Sequence, residues 1–360
     1  MKPIYRIAFL LLFIPFFTNA NTGDKKHEKT KTIKKVYNVN SNAKVALNNR
    51  YGDFNITTWD KNRVEIEVII SVKGDDLDEV ESKLNSIKIE FNASNSLVEA
   101  QTIFNEKKSS WSSWWGKSKN TNYKINYIVK MPKTNSVDLN NDYGSIYLGN
   151  LTGKAIINCD YGKISIGKLS AVNNEINLDY CSSSSISSMK SGSINIDYSK
   201  LTIDNSENIK LNADYSTIKF DKAGEIDFNL DYGSITVNDS ERINGNSDYV
   251  TLRFGTVRKE LIIDTDYGSL TVKKLIKGFS KVDITSQYTG IKIGVEEGNS
   301  FNFEIDLQYS SFKRDEDKVE IFKSITKSTK KYYEGTYGKG KTNSILNVNS
   351  QYGSVRIEEN

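Results

Sequence analysis

Tyrosine recurs along this chain at a nearly constant interval, and that interval constrains the fold more than any other feature. Tyr143, Tyr161, Tyr180, Tyr198, Tyr215, Tyr232, Tyr249 and Tyr267 follow one another at steps of 18, 19, 18, 17, 17, 17 and 18 residues. Tyr288 and Tyr309 continue at steps of 21, Tyr352 closes the series after an insertion, and Tyr51 stands apart as an early copy. A unit of this length cannot bury its own apolar side. It reads as a repeat whose copies stack on one another.

Positions other than tyrosine keep the same register. Three residues after each Tyr stand Ile146, Ile164, Leu201, Ile218, Ile235, Leu252, Leu270, Ile291, Phe312 and Val355; four before it stand Leu139, Ile157, Ile176, Ile194, Leu211, Phe228, Ile263, Ile284, Ile305 and Val348. Ser, Thr, Lys, Asn and Asp alternate with them, the signature of strands with one buried face. The two flanks fall out of phase across Tyr-Gly, so a corner lies there. Asp-Tyr-Gly-Ser at 142–145, 231–234 and 266–269 has turn chemistry, with Asp expected to accept amides of its own turn and Gly to supply positive φ. Leu151, Leu169, Ala223, Val257 and Leu275 mark a third inward side. After Tyr180 both usual core positions hold Ser, and a one-residue bulge is expected to bring Ile186 inward.

The expected fold is all-β: a single-stranded β-helix (β-solenoid), right-handed, with coils of about 17–21 residues and equivalent residues roughly 4.8 Å apart. Residues 134–360 form the solenoid, with a charged insertion near 313–345 ending in a hairpin that covers one end. Residues 36–133 read as an N-terminal β-rich cap with the first repeat and one helix: Val80, Leu84 and Ile87 have helical spacing, and strands are expected near 64–72, 87–92, 97–104 and 122–131. Such a cap would hide unpaired strand edges. The single proline after residue 20, Pro132, suits a chain built on long hydrogen-bonded ladders.

Residues 1–20 have the form of a secretory signal peptide: charged Lys2 and Arg6, an apolar run from Ile7 to Phe17, and small residues up to Ala20. The run is too short to span a bilayer, and no later stretch approaches the length of a transmembrane segment. Residues 21–35 read as a polar, Lys-rich, solvated tail. Removing Lys2 and Arg6 lowers the net charge from +4 to +2, which argues against a nucleic-acid partner. Two cysteines make no disulfide framework.

These features together resemble the bacterial putative-adhesin β-helix family. The resemblance rests on Asn49-Arg50-Tyr51-Gly52-Asp53-Phe54, the helical segment near 76–88, the Met131-Pro132-Lys133 lead-in, and Asp142-Tyr143-Gly144-Ser145-Ile146 with its later copies. It covers nearly all of the chain after residue 20. It implies an envelope or surface protein of a bacterium, with no catalytic residues to carry over and no cofactor. The tyrosine column departs from such corners, which often carry Asn or Ser.

Three constellations are candidates for function. The column Asp142, Asp160, Asp179, Asp197, Asp214, Asp231, Asp248 and Asp266, giving way to Gln287, Gln308 and Gln351, reads either as turn capping or as a calcium-binding ridge over Asp142, Asp160, Asp179 and Asp197. The tyrosine column reads as a structural ladder, placed by parity on the apolar side, or as a platform for sugars. Trp111, Trp114 and Trp115, flanked by Lys107, Lys108 and Lys119, read as a plug of the solenoid end or as a binding loop. The single histidine, His27, rules out a His-based triad or a multi-histidine metal site within one chain. The sequence therefore points to a non-catalytic adhesin-like protein whose partner is a cell-surface glycan or an envelope protein. A carbohydrate-active β-helix and a periplasmic signalling or envelope-stress component are the alternatives. Export to the periplasm, the outer-membrane surface or the medium follows from the signal peptide.

Overall fold

The computed structural model describes residues 26–105 and 121–360, and it is all-β with one α-helix. The chain divides into two compact units, Met1–Ile166 and Gly167–Asn360.

In the first unit an antiparallel layer leads into parallel pairs. His27–Asn38 pairs antiparallel with Arg63–Gly74, which pairs antiparallel with Asn122–Pro132. Asn122–Pro132 then runs parallel to Phe54–Trp59, and Phe54 faces Ile146, which faces Ile164. A second series sets Ile87–Ala93 antiparallel to Leu97–Phe104, followed by parallel pairing with Lys44–Arg50, Ser136–Asp142 and Ala155–Asp160. Leu47, Leu139 and Ile157 are thus register partners, and all three are buried. The helix spans Leu77–Ser86; the Asp76 carboxylate accepts the Glu79 amide at 3.0 Å, and Val80 is its buried contact. The Lys-rich stretch expected as a tail is already strand from His27 on. Lys29, Lys31 and Lys35 are themselves half-buried in it, and Lys34 pairs with Glu67 across the sheet.

In the second unit, equivalent residues of successive repeats are pairing partners. Leu201 faces Ile218 and Ile203 faces Phe220, 17 residues apart; Leu252 faces Leu270, which faces Ile291. Ile194, Leu211 and Phe228 form another such column. All are buried, with Ile and Leu suited to a pleated surface packed on one side. The Ser-rich repeat is bulged: Ser183 takes φ 58°, Ser184 occupies the slot opposite Leu201, and Ile186 reaches the core slot opposite Ile203.

The order of stacking departs from the order of sequence. The segment Ile345–Gln351 pairs in parallel both with Lys281–Gln287 and with Phe301–Gln308, so the Tyr352 repeat lies between those of Tyr288 and Tyr309. Phe301–Gln308 is then flanked by an antiparallel hairpin of Lys330–Tyr337 and Val319–Lys327, the insertion read from the sequence.

Because Ile218 is fully enclosed by its neighbours, Ile218→Ala is expected to cost about 2–4 kcal/mol, read by urea denaturation. The adjacent outward-facing Lys219→Ala should stay within about 0.5 kcal/mol.

Candidate functional site

The corner that carries tyrosine is built from backbone conformation. Each Tyr of the series lies in the left-handed region, with φ between 49° and 58° in the second unit, while the glycines following Tyr232, Tyr267 and Tyr352 are absent from that region. The expected assignment of positive φ to Gly is therefore corrected. Gly233 is needed for close approach, since a Cβ there would lie 2.1 Å from the Ser216 carbonyl oxygen. A left-handed residue interrupts the alternation of a strand, so the side chain leaves the core. The tyrosines expected on the apolar side instead face solvent, 44–55% exposed from Tyr180 to Tyr352.

Turn capping also differs from expectation. The residue after Tyr caps the corner with its hydroxyl: Ser216 Oγ donates to the Asp214 carbonyl at 2.7 Å and accepts the Ser199 amide at 3.1 Å. Ser199, Thr289 and Ser310 repeat the arrangement. Asp266 accepts the amide of Gln287, one repeat on, rather than one of its own turn. The tyrosine amides complete the corner by donating to the carbonyl of the residue preceding Tyr in the adjacent repeat, as Tyr198 does to Asp214.

The result in the second unit is a solvent-facing strip of three parallel columns. Rings from Tyr180 through Tyr198, Tyr215, Tyr232, Tyr249, Tyr267, Tyr288 and Tyr352 to Tyr309 stack at 4.8–5.0 Å between centroids, with interplanar angles of 1–8°. Inner rings have neighbours on both faces, so edges and hydroxyls meet solvent. Three residues before Tyr198, Tyr215, Tyr232 and Tyr249 runs an asparagine ladder in which Asn195, Asn212, Asn229 and Asn246 each donate Nδ2 to the Oδ1 of the preceding Asn, at 2.8–3.2 Å. Sequence reasoning missed it, although Asn at a fixed offset from Tyr was there to be aligned. Between these columns runs the aspartate column, and a shallow depression of about 260 Å³ is lined by Asn195, Asp197, Asn212, Asp214, Asn229 and Asp231.

The electrostatics follow from the stacking. Desolvation first, then the flanking carboxylates of Asp197 and Asp231, push the Asp214 carboxyl up; Asp248 is raised in the same way by desolvation, Asp231 and Asp266. The phenols of Tyr198, Tyr232 and Tyr267 are also raised, by desolvation and then by neighbouring tyrosines and aspartates, so they stay neutral in ordinary conditions. Among the described residues no group of three or more His, Cys, Asp or Glu side chains converges as a metal cage. Asp142, at the first unit's corner, pairs with Arg50 at 3.4 Å, and the Arg50 guanidinium lies over Tyr51 and Tyr143. There, Tyr51, Tyr143 and Tyr161 stack at 5.0–5.2 Å. Trp111, Trp114 and Trp115 lie outside the described residues.

A carboxyl whose folded pKa is raised destabilises the fold above that pKa, and the penalty vanishes as pH falls to the ordinary aspartate value of 3.8. Asp214→Asn/Asp248→Asn should therefore stabilise the protein at pH 7 by roughly 0.5 kcal/mol, discounted for exposure. Melting curves should show the gain shrinking as pH approaches 4.

No family model matches this chain, and no curated protein matches it. Solved structures do resemble it at low identity. A putative cell adhesion protein of Clostridium sporogenes ATCC 15579 is 13% identical, covers 92% of this chain and 100% of its own, and has a TM-score of 0.19. A putative adhesin of Bacteroides fragilis NCTC 9343 is 16% identical, with 74% and 97% covered and a TM-score of 0.31. A putative lipid binding protein of Parabacteroides distasonis ATCC 8503 is 10% identical, with 94% and 98% covered and a TM-score of 0.27. Two of these names agree with the adhesin resemblance read from the sequence, but likeness this distant carries no argument about function, which rests on this chain's own residues.

Proposed function

We propose that this chain is an exported, adhesin-like protein of a bacterial envelope or surface, which binds without catalysis through the tyrosine, aspartate and asparagine strip of a right-handed β-solenoid. Parallel pairing at 17, 18 and 21 residues supports the solenoid, since it is the pairing that successive coils would make. Residues 1–20 support export as a secretory signal. Among the described residues no helix is long and apolar enough to cross a membrane.

The observation that carries the reading is a row of large aromatic residues held half-exposed in a conformation that L-residues avoid. Stacking offsets that cost without clearly exceeding it. Asparagine tolerates the left-handed region better, so tyrosine at every corner is poorly explained by stability and well explained by a surface that must be displayed.

The chemistry of the strip favours an extended, polyhydroxylated partner such as a cell-surface glycan. From Tyr180 to Tyr249 each step of about 4.9 Å presents a phenol, a carboxylate and an amide, so hydrogen-bonding groups recur along one line. Ring faces are occupied by their neighbours, so sugars would meet edges and hydroxyls rather than stack. An extended segment of an envelope protein is the second partner class. Hydrolysis by paired carboxylates has less support: a general acid and its partner need different environments, whereas Asp214 and Asp248 are shifted the same way by the same causes.

Tyr215→Asn/Tyr232→Asn/Tyr249→Asn should retain the β-sheet circular dichroism of the parent and lose at least about tenfold in affinity on a glycan panel or for envelope preparations. Undiminished binding by a folded triple variant would sink the proposal, and shortened glycan products would favour the enzyme. Cell fractionation with external protease tests export separately.

A further inference from the structure

We propose that the tyrosine column of the second unit is a site of oxidative cross-linking, where a peroxidase-type oxidant using hydrogen peroxide joins neighbouring phenols ring to ring. This inference does not depend on what the strip binds. It rests on three properties of the column.

The first is translation without rotation. Tyr198, Tyr215, Tyr232 and Tyr249 follow one another at 4.8–4.9 Å with interplanar angles of 1–2°, so each ring carbon faces its counterpart at nearly the centroid distance. The second is access. These four rings are 44–53% exposed, with edges and hydroxyls toward solvent, whereas Tyr127 and Tyr337 are buried. The third is fixed neighbourhood. Backbone hydrogen bonds lock each corner against the next, as Tyr198 N to Asp214 O at 3.1 Å and Tyr215 N to Asp231 O at 3.0 Å, so a reactive ring always has a partner beside it. Holding reactants together in this way replaces a bimolecular encounter by an intramolecular one.

The step balances as follows. Two adjacent phenols each lose one electron and one proton, giving two phenoxyl radicals. These couple through the carbons ortho to oxygen, forming one carbon–carbon bond. The hydrogens on those two carbons then move to the oxygens as the rings regain aromaticity. Overall, two tyrosines and one hydrogen peroxide give one biphenol bridge and two waters; peroxide is reduced and the rings are oxidised. Rotation about the side-chain bonds, open to half-exposed rings, supplies the approach from the stacked distance. The bridge would tie residues 17 apart in sequence, and so constrain the unfolded chain as a disulfide does.

The test is horseradish peroxidase with hydrogen peroxide on dilute full-length protein, read by dityrosine fluorescence, denaturing electrophoresis and peptide mapping. The expected product is a monomer with bridges mapped between column neighbours, such as Tyr215 to Tyr232, two hydrogens lost per bridge, and a melting temperature about 5 °C higher. Tyr198→Asn/Tyr232→Asn/Tyr267→Asn, which leaves Tyr180, Tyr215 and Tyr249 each two steps from the next tyrosine of the column, should lower the yield of bridges mapped between Tyr180 and Tyr288 about tenfold. Tyr37→Phe/Tyr147→Phe/Tyr333→Phe removes as many tyrosines outside the column and should leave the yield unchanged. Equal losses in the two variants, bridges confined to interchain products, or bridges mapped mainly to Tyr37, Tyr147 and Tyr333 would each overturn the proposal. The mapping of the parent protein decides the matter even where the alternating variant fails to fold.

Discussion

In the second unit a residue's neighbour across the strand pair is its own counterpart one repeat away: Leu201 against Ile218, Asn195 against Asn212, Asp197 against Asp214. Every column is therefore a test of whether a side chain is compatible with a copy of itself at about 4.9 Å. Aliphatic side chains are, and those columns form the core. Carboxamides are, because each carries both a donor and an acceptor and can hand a hydrogen bond along the line. Ionised carboxylates are acceptors only and repel, and after desolvation that repulsion helps to push the Asp214 and Asp248 carboxyls up. A single geometric constraint thus stabilises two of the columns and penalises a third.

The left-handed tyrosine decides what faces out. Up to the corner, the strand alternates in the usual way, with Leu211 and Ala213 buried and Asn212 and Asp214 exposed or half-exposed. One residue at φ 49° then breaks the alternation, Tyr215 leaves the core, and burial resumes at Ser216 and Ile218. The serine hydroxyl makes the change of direction affordable by satisfying a corner carbonyl and an amide of the preceding repeat. Glycine after Tyr232 and Tyr267 solves the same crowding by removing the side chain.

Much of this was legible from the alignment of tyrosines. The apolar columns, the bulge that brings in Ile186, the helix at Leu77–Ser86 and the hairpin inside the insertion all follow from period and pattern. The direction of the tyrosines was not, because parity assumes unbroken strand geometry and the sign of φ is invisible in a sequence that offers Gly next door. The placing of Tyr352 between Tyr288 and Tyr309 was not legible either. Spacing orders repeats along the chain, while pairing depends on which edge the returning segment Ile345–Gln351 finds open. The edge strand His27–Asn38 escaped because its lysines cover a half-buried face with their aliphatic stems, a pattern that composition reads as a tail.

The distribution of counter-charges separates the strip from the cluster of acids around Arg242 and Arg258. In that cluster acids are matched: Asp239 accepts a forked pair of bonds from Arg258, Arg242 bridges Glu225 and Glu260, and Lys259 meets Glu241. Among the described residues Asp197, Asp214, Asp231 and Asp248 have no salt-bridge partner, although a lysine or arginine one strand away would relieve the repulsion. Exposed ion pairs contribute little to stability, so their presence on one side and absence on the other is weakly explained by folding. A line of like charge flanked by neutral donors keeps its field and its hydrogen-bonding capacity directed at solvent. Such a surface costs the folded state a small repulsion, and the same lack of internal partners leaves its carboxylates available to whatever approaches along the column.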